Sequence, residues 1–152
     1  MATINPAQEL SQIVDGYLRD AHGYEPAFWL MPYAPDKKWS RKMVLGHLID
    51  SAIHNLTRFV TTQYQQNTKI LYDADQWVAI NDYEHTDIAT LLLFWGLLNK
   101  QIVKIIANMP STALPLTCDT GKNEVEPQTL AFLVQDYIVH LKYHLNQINK
   151  NT

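Results

Sequence analysis

Four long segments in which apolar residues recur at helical spacing constrain the fold of this chain more than any other feature. Asn5, Ser40 and Thr86 stand where helix N-caps are expected, and proline is tolerated at the first helical position. The predicted helices run from about Pro6 to Arg19, from the residue after Ser40 to about Gln65, from the residue after Thr86 to the residue before Pro110, and from near Pro127 to about Asn149. No strand-rich region competes with them, so the sequence predicts an all-α, four-helix bundle with long connections.

The three connections have different signals. Residues 22–39 contain three prolines and a glycine, which predicts a loop with one short turn. Residues 67–85 read as a connection with one turn near residues 75–79, and residues 110–126 as a loop or a short two-stranded excursion around "TGKN". The third helix is apolar all round its middle and is predicted to be the most buried.

Length and composition indicate one globular domain over residues 1–152, with 47% hydrophobic and 18% charged residues. The net charge is -3 and the basic residues are dispersed, so no nucleic acid is expected as a partner.

Cellular location is predicted from cysteine usage and from the apolar runs. The single cysteine, Cys118, rules out an internal disulfide or a thiolate metal cluster; it is predicted to be a small residue in a loop. The N-terminus does not resemble a secretory signal, and the longest apolar run, residues 91–98, is far short of the roughly 20 needed for a membrane span. These features predict a cytoplasmic protein with no membrane partner.

Two histidines of the fourth helix point toward the bundle interior. At about 100° per residue, His144 lies about 40° from His140, and both border the apolar stripe. A buried imidazole must form a hydrogen bond or bind a metal, because an unpaired buried polar group is costly. Histidines spaced at i and i+4 can share one metal ion, which then needs a third ligand from another helix.

The stretch "GHLIDSAIHN", residues 46–55, offers that third ligand on the polar face of the second helix. By periodicity alone this face reads as solvated, with His47, His54 and Asp50 on it. If it faces the other two histidines instead, three neutral imidazoles and a water would suit Zn²⁺, Ni²⁺ or another borderline divalent ion.

Three blocks of sequence resemble a known family. "KKWSRKMVLGHLIDSAIHNLTRF", "YDADQWVAINDY" and "PQTLAFLVQDYIVHLKYHLNQI" are together similar to the DinB/YfiT-like superfamily of metal-dependent enzymes. The resemblance implies a four-helix bundle, a homodimer, and a divalent metal held by His47, His140 and His144. Zinc or nickel is favoured, with manganese or iron as alternatives.

Roles are also expected for other polar and aromatic residues of these three blocks. The resemblance suggests that Asp50 orients His47 or accepts a proton, while a solvated carboxylate is its alternative reading. His54 is expected to be simply exposed, with a fourth polar group of the cleft as its alternative. Arg58 is expected to pair with a carboxylate of the bundle, with binding of an anionic substrate group as its alternative. Trp39 and Trp77 are expected to pack the end of the bundle.

Three functional hypotheses follow. The first is a hydrolase acting on a small-molecule substrate with metal-activated water. The second is an S-transferase in which the same metal binds a low-molecular-weight thiol, because a coordinated thiol loses its proton. The third is a bundle that binds a metal or ligand without catalysis.

Overall fold

A computed structural model describes residues 4–150 and confirms the all-α, four-helix bundle. The four long helices carry the bundle, and two short helices and one hairpin lie in the connections. The elements are α1 (Pro6–Ala21), α2 (Pro26–Leu30), α3 (Arg41–Tyr64), α4 (Ala74–Asn81), α5 (Ile88–Asn108), β1 (Thr117–Asp119), β2 (Pro127–Thr129) and α6 (Leu130–Asn149).

Helix α3 is the best covered element of the bundle. It packs against α5 and α6, and α2, α4, β1 and the 3₁₀ turn Tyr83–His85 also contact it. Thirteen of its 24 residues are buried, against five of 21 in α5. The prediction that the third long helix is the most buried is therefore wrong, because α5 leaves Leu93 and Leu97 more than half exposed on its outer side.

Helix α5 is long and apolar enough, by length and composition, to cross a membrane, although its longest uninterrupted apolar run is short. In this fold it packs against α1 and α3 as a bundle helix. Its Asn99 is buried and accepts a hydrogen bond from the Tyr137 hydroxyl of α6 at 2.6 Å.

Two predicted helix starts are corrected by the cap residues. Asp87, not Thr86, caps α5, because its carboxylate accepts from the Thr90 amide at 3.1 Å. The fourth long helix begins at Leu130, capped by Thr129, rather than near Pro127. Residues 127–129 are instead engaged as β2, which pairs antiparallel with β1.

The hairpin confirms the two-stranded excursion predicted between the last two long helices. Cys118 lies in β1 rather than in a loop, and its buried thiol donates to the Thr68 carbonyl oxygen at 3.2 Å. The Asp119 carboxylate accepts from the amides of Gly121 and Glu126, both at 2.9 Å, which closes the turn.

Arg41 joins the start of α3 to the end of α6. Its side chain is 2% exposed and lies over the Phe28 ring. The guanidinium donates to the carbonyl oxygens of Ile148 at 2.8 Å and Pro32 at 3.3 Å, and also to that of Lys150. A cation at a helix C-terminus complements the helix dipole, so this contact holds the two histidine-bearing helices in register.

Candidate functional site

Three histidines from two helices meet between α3 and α6. His140 Nε2 lies 3.3 Å from His47 Nε2 and 3.1 Å from His144 Nε2. One nitrogen from each ring falls within 4.8 Å of the others, so the group could hold a single metal ion. The structure thus brings together the three residues predicted as metal ligands.

The polar stripe of α3 is buried rather than solvated. His47 is 6% exposed, Ser51 2% and Asp50 0%. The solvated-face interpretation is wrong because α6 covers the His47 side of this stripe, while α4 and the 3₁₀ turn pack against the same helix.

Burial keeps the three imidazoles neutral at pH 7. It lowers the pKa of His47 to about 3, with a further contribution from the charges of His144 and His140. It lowers the pKa of His140 to about 4, again helped by His144. Burial also lowers the pKa of His144, against the opposing effect of its bond to Gln147. Neutral rings have the free lone pair that metal ligation requires.

Hydrogen bonds behind two of the rings set their orientation. His144 Nδ1 donates to Gln147 Oε1 at 2.7 Å, and Gln147 Nε2 donates to the Tyr33 hydroxyl at 3.3 Å. His140 Nδ1 lies 3.5 Å from Ser51 Oγ. With Nδ1 of His144 carrying the proton, its Nε2 presents a lone pair to the centre of the group. Sequence reasoning missed Gln147, although its i+3 spacing from His144 places both on one helix face.

The geometry of the group fits a divalent ion. Zn–N bonds of about 2.0–2.1 Å in a tetrahedral site put two ligand nitrogens about 3.3 Å apart, close to the two separations found here. Without a metal, each neutral ring carries one proton. A proton on His140 Nε2 could therefore be donated to only one of the two neighbouring nitrogens. A cation satisfies all three lone pairs at once.

Asp50 is held by residues other than His47. Its Oδ1 accepts from the Tyr83 hydroxyl at 2.5 Å and from Asn81 Nδ2 at 3.5 Å. Its Oδ2 and His47 Nδ1 are both buried without a hydrogen-bond partner among the described residues. The predicted orientation of His47 by Asp50 is therefore not realised. Burial raises the pKa of Asp50 to about 6, against the lowering effect of the Tyr83 bond.

Gly46 makes room for the tyrosine that holds Asp50. A Cβ at this position would overlap the Tyr83 ring and lie 2.8 Å from its Cε2 atom. We expect Gly46→Ala to displace Tyr83 and to lower the free energy of unfolding by about 1–3 kcal/mol, as overpacking of a core does. Denaturant unfolding of G46A, compared with Gly16→Ala in α1, checks this. A Cβ added at Gly16 would meet only the Arg19 side chain among the described residues, at 3.7 Å, outside the backbone of its own helix. Equal stability of the two variants would contradict the packing role.

His54 lies outside the three-histidine group, and it is half-buried rather than simply exposed. Its ring stacks on Tyr72 at 3.9 Å between centroids and meets the edge of Trp77 at 4.3 Å. Its Nδ1 donates to the Asp50 carbonyl oxygen at 2.7 Å. Trp39 contacts the site directly, with its ring centroid 5.3 Å from that of His47.

The prediction that Arg58 pairs with a carboxylate is wrong, because it forms no such pair among the residues that the structure describes. Its guanidinium donates twice to the Ile70 carbonyl oxygen, at 2.8 and 3.2 Å, and to Asn55 Oδ1 at 3.4 Å. The connection that follows α3 brings the Ile70 carbonyl within reach of Arg58. The spacing of these residues along the sequence does not indicate this contact.

Comparisons with known proteins agree with the fold. A family model of the DinB superfamily matches residues 8–148. The structure is similar to YfiT from Bacillus subtilis, described as a probable metal-dependent hydrolase with an unusual four-helix bundle topology. The TM-score is 0.81 at 21% identity, covering 97% of this chain and 87% of YfiT. A search of curated proteins finds no match. Because the family model spans most of the sequence, the chain belongs to the DinB superfamily.

Proposed function

We propose that this protein is a metal-dependent hydrolase in which His47, His140 and His144 hold one divalent ion, with zinc or nickel favoured. The observation that carries the proposal is the convergence of three neutral imidazoles, in which His140 Nε2 lies 3.3 Å from His47 Nε2 and 3.1 Å from His144 Nε2. YfiT, which has a similar fold, is described as a probable metal-dependent hydrolase, in agreement with this function.

A bound divalent ion would supply Lewis acidity, lowering the pKa of a water and polarising a substrate carbonyl or phosphoryl oxygen. The chain's own residues hold and orient the ligands. Three neutral histidine ligands would leave a further coordination position open, as in catalytic rather than structural zinc sites.

Asp50 is the proposed proton acceptor. It lies one helical turn from His47, and its Oδ2 has no hydrogen-bond partner among the described residues. A carboxyl with a pKa of about 6 is ionised at pH 7 and remains basic enough to accept a proton. Tyr83 holds the other oxygen in place.

The test combines metal analysis with a screen of 4-nitrophenyl esters and phosphates. The metal-loaded protein is expected to hydrolyse one class, and chelation is expected to abolish this activity. Asp50→Asn should retain the metal and lose activity. Turnover that survives complete removal of the metal would overturn the proposal.

The same screen separates the remaining hypotheses. Reaction with an electrophile only when a thiol is supplied would favour the S-transferase over the hydrolase. Metal uptake without turnover of either kind would favour the non-catalytic bundle. The homodimer and the cytoplasmic location stay predictions.

Gln147 should matter for metal affinity although it lies behind the site. We expect Gln147→Leu to weaken binding roughly 10–100-fold, because the His144 ring loses the acceptor that fixes its tautomer. Competition with a chromogenic chelator measures the change, and the exposed Gln135→Leu on the same helix is the control. Unchanged affinity in Q147L would contradict an orienting role.

Acidification should destabilise the metal-free protein. The folded-state pKa values of His47 and His140 are about 3 and 4, against 6.5 as the ordinary value, so between pH 4 and 6.5 the unfolded chain binds more protons. His144 acts in the same direction. Burial lowers the pKa of His54 as well. Asp50 acts oppositely, because its pKa rises from 3.8 to about 6 on folding, but it is one group against four.

The melting temperature of the chelated protein should therefore fall between pH 7 and pH 5. Thermal unfolding followed by circular dichroism measures it. In Asp50→Asn the fall should be steeper, because the opposing group is gone. A melting temperature that rises on acidification would refute this account of the histidines.

A further inference from the structure

A cavity of about 320 Å³ lies beside the three histidines, and His144 forms part of its wall. Trp39 also lines it and lies against the His47 ring, so the same indole borders the cavity and the proposed metal site. Gln147 and Tyr33, the residues behind His144, line it as well. A molecule in this space would therefore lie next to the reacting centre.

The charged groups of the cavity favour an anion. Lys37 and Lys38 line it on the α2–α3 connection, and Asp75 lines it from the first turn of α4. Among the described residues, the only ion pair of Lys37 Nζ is a distant one to Asp36 Oδ2, at 3.9 Å, and the Asp36 side chain is 81% exposed. Such an exposed pair is weak, which leaves the ammonium able to bind a ligand.

The walls of the cavity are aromatic. Tyr143, 59% exposed, stands on α6 with its ring centroid 5.1 Å from that of His144. Trp39 and Tyr33 supply further rings on the side of the α2–α3 connection. Aromatic walls with a few charged groups at one side are typical of small-molecule sites.

We infer that this cavity binds a small organic carboxylate, with its anionic group at Lys37 and Lys38 and its apolar body between the aromatic rings. Its role as the substrate site rests on the proposed function, whereas the binding itself needs no metal. Asp75 acts against an anion, and its removal should strengthen binding.

The test compares benzoate with benzamide, which have similar shapes and differ in charge. We expect benzoate to bind at least about fivefold more tightly, measured by ligand-observed NMR at low salt. The preference should persist after chelation, diminish with added salt, and disappear in Lys37→Gln/Lys38→Gln. Asp75→Asn should increase benzoate affinity about twofold.

A matched double variant, Lys100→Gln/Lys104→Gln on α5, removes the same two charges without touching this cavity. It should retain the benzoate preference. Equal binding of benzoate and benzamide would overturn the inference. A preference lost on chelation and unchanged in K37Q/K38Q would also overturn it, since the metal would then hold the carboxylate.

Metal content, measured on every variant, separates the two proposals. A lysine-dependent benzoate preference in a protein that takes up no metal would support the anion site and sink the hydrolase. Full metal content without that preference would sink the anion site and leave the three-histidine metal site standing.

Discussion

Replacement of His144 by alanine is expected to reduce bound metal from one equivalent per chain to nearly none. The substitution removes one of three converging nitrogens and leaves His140 Nε2 with His47 as its only nitrogen neighbour in the group. Loss of a group behind a ligand already costs about 10–100-fold in affinity, so loss of the ligand itself should cost more than about 100-fold.

Elemental analysis and chelator competition on purified protein measure this effect. His85→Ala is the matched control, because His85 is 80% exposed and contacts only Asp82 through its side chain among the described residues. It should keep the full metal content. Equal metal content in H144A and the parent protein would overturn the three-histidine site.

Of the substitutions proposed, Arg41→Met should cause the largest fall in the free energy of unfolding. The buried guanidinium donates to three backbone carbonyl oxygens, and methionine leaves them without a donor while retaining much of the side-chain volume. Hydrogen bonds to charged groups contribute about 1.5–3 kcal/mol each and are not additive, so we expect a net loss of about 3 kcal/mol. For a chain of this length that is a fall of roughly 10 °C in melting temperature.

Two further variants test the cause of that loss. Arg41→Lys should recover part of the stability, since an ammonium can reach one or two of these carbonyls but lacks the planar fork. Arg19→Met, at an exposed position of α1, should change stability by less than about 0.5 kcal/mol. A loss in R41M no larger than in R19M would show that the link between α3 and α6 contributes little.

Cap residues and apolar periodicity predicted the four long helices well. Asn5 and Ser40 cap α1 and α3 through their side chains, as the sequence indicated. Residue type was less decisive at the start of α5, where two adjacent residues could both cap the helix. Asp87 rather than Thr86 faces the Thr90 amide. The start of α6 was misplaced because residues 127–129 pair with a strand about ten residues earlier in the chain, a contact that helical periodicity does not report.

The three histidines of the candidate site were predictable from the sequence, but the residues around them were not. HxxxH spacing placed His140 and His144 on one face, and the family resemblance selected His47. The bond from Tyr83 to Asp50 spans 33 residues and depends on the close approach that Gly46 permits. Arg58 likewise found a backbone acceptor 12 residues away instead of a carboxylate.

The sequence by itself determined which residues share a helix face, because the helical repeat is a property of the local backbone. It therefore established the bundle and the inward position of His140 and His144. Only the tertiary structure decided what covers the polar face of α3, because burial depends on elements distant along the chain. That packing made His47 neutral, left Asp50 Oδ2 without a hydrogen-bond partner among the described residues, and placed Lys37 and Lys38 at one cavity with His144.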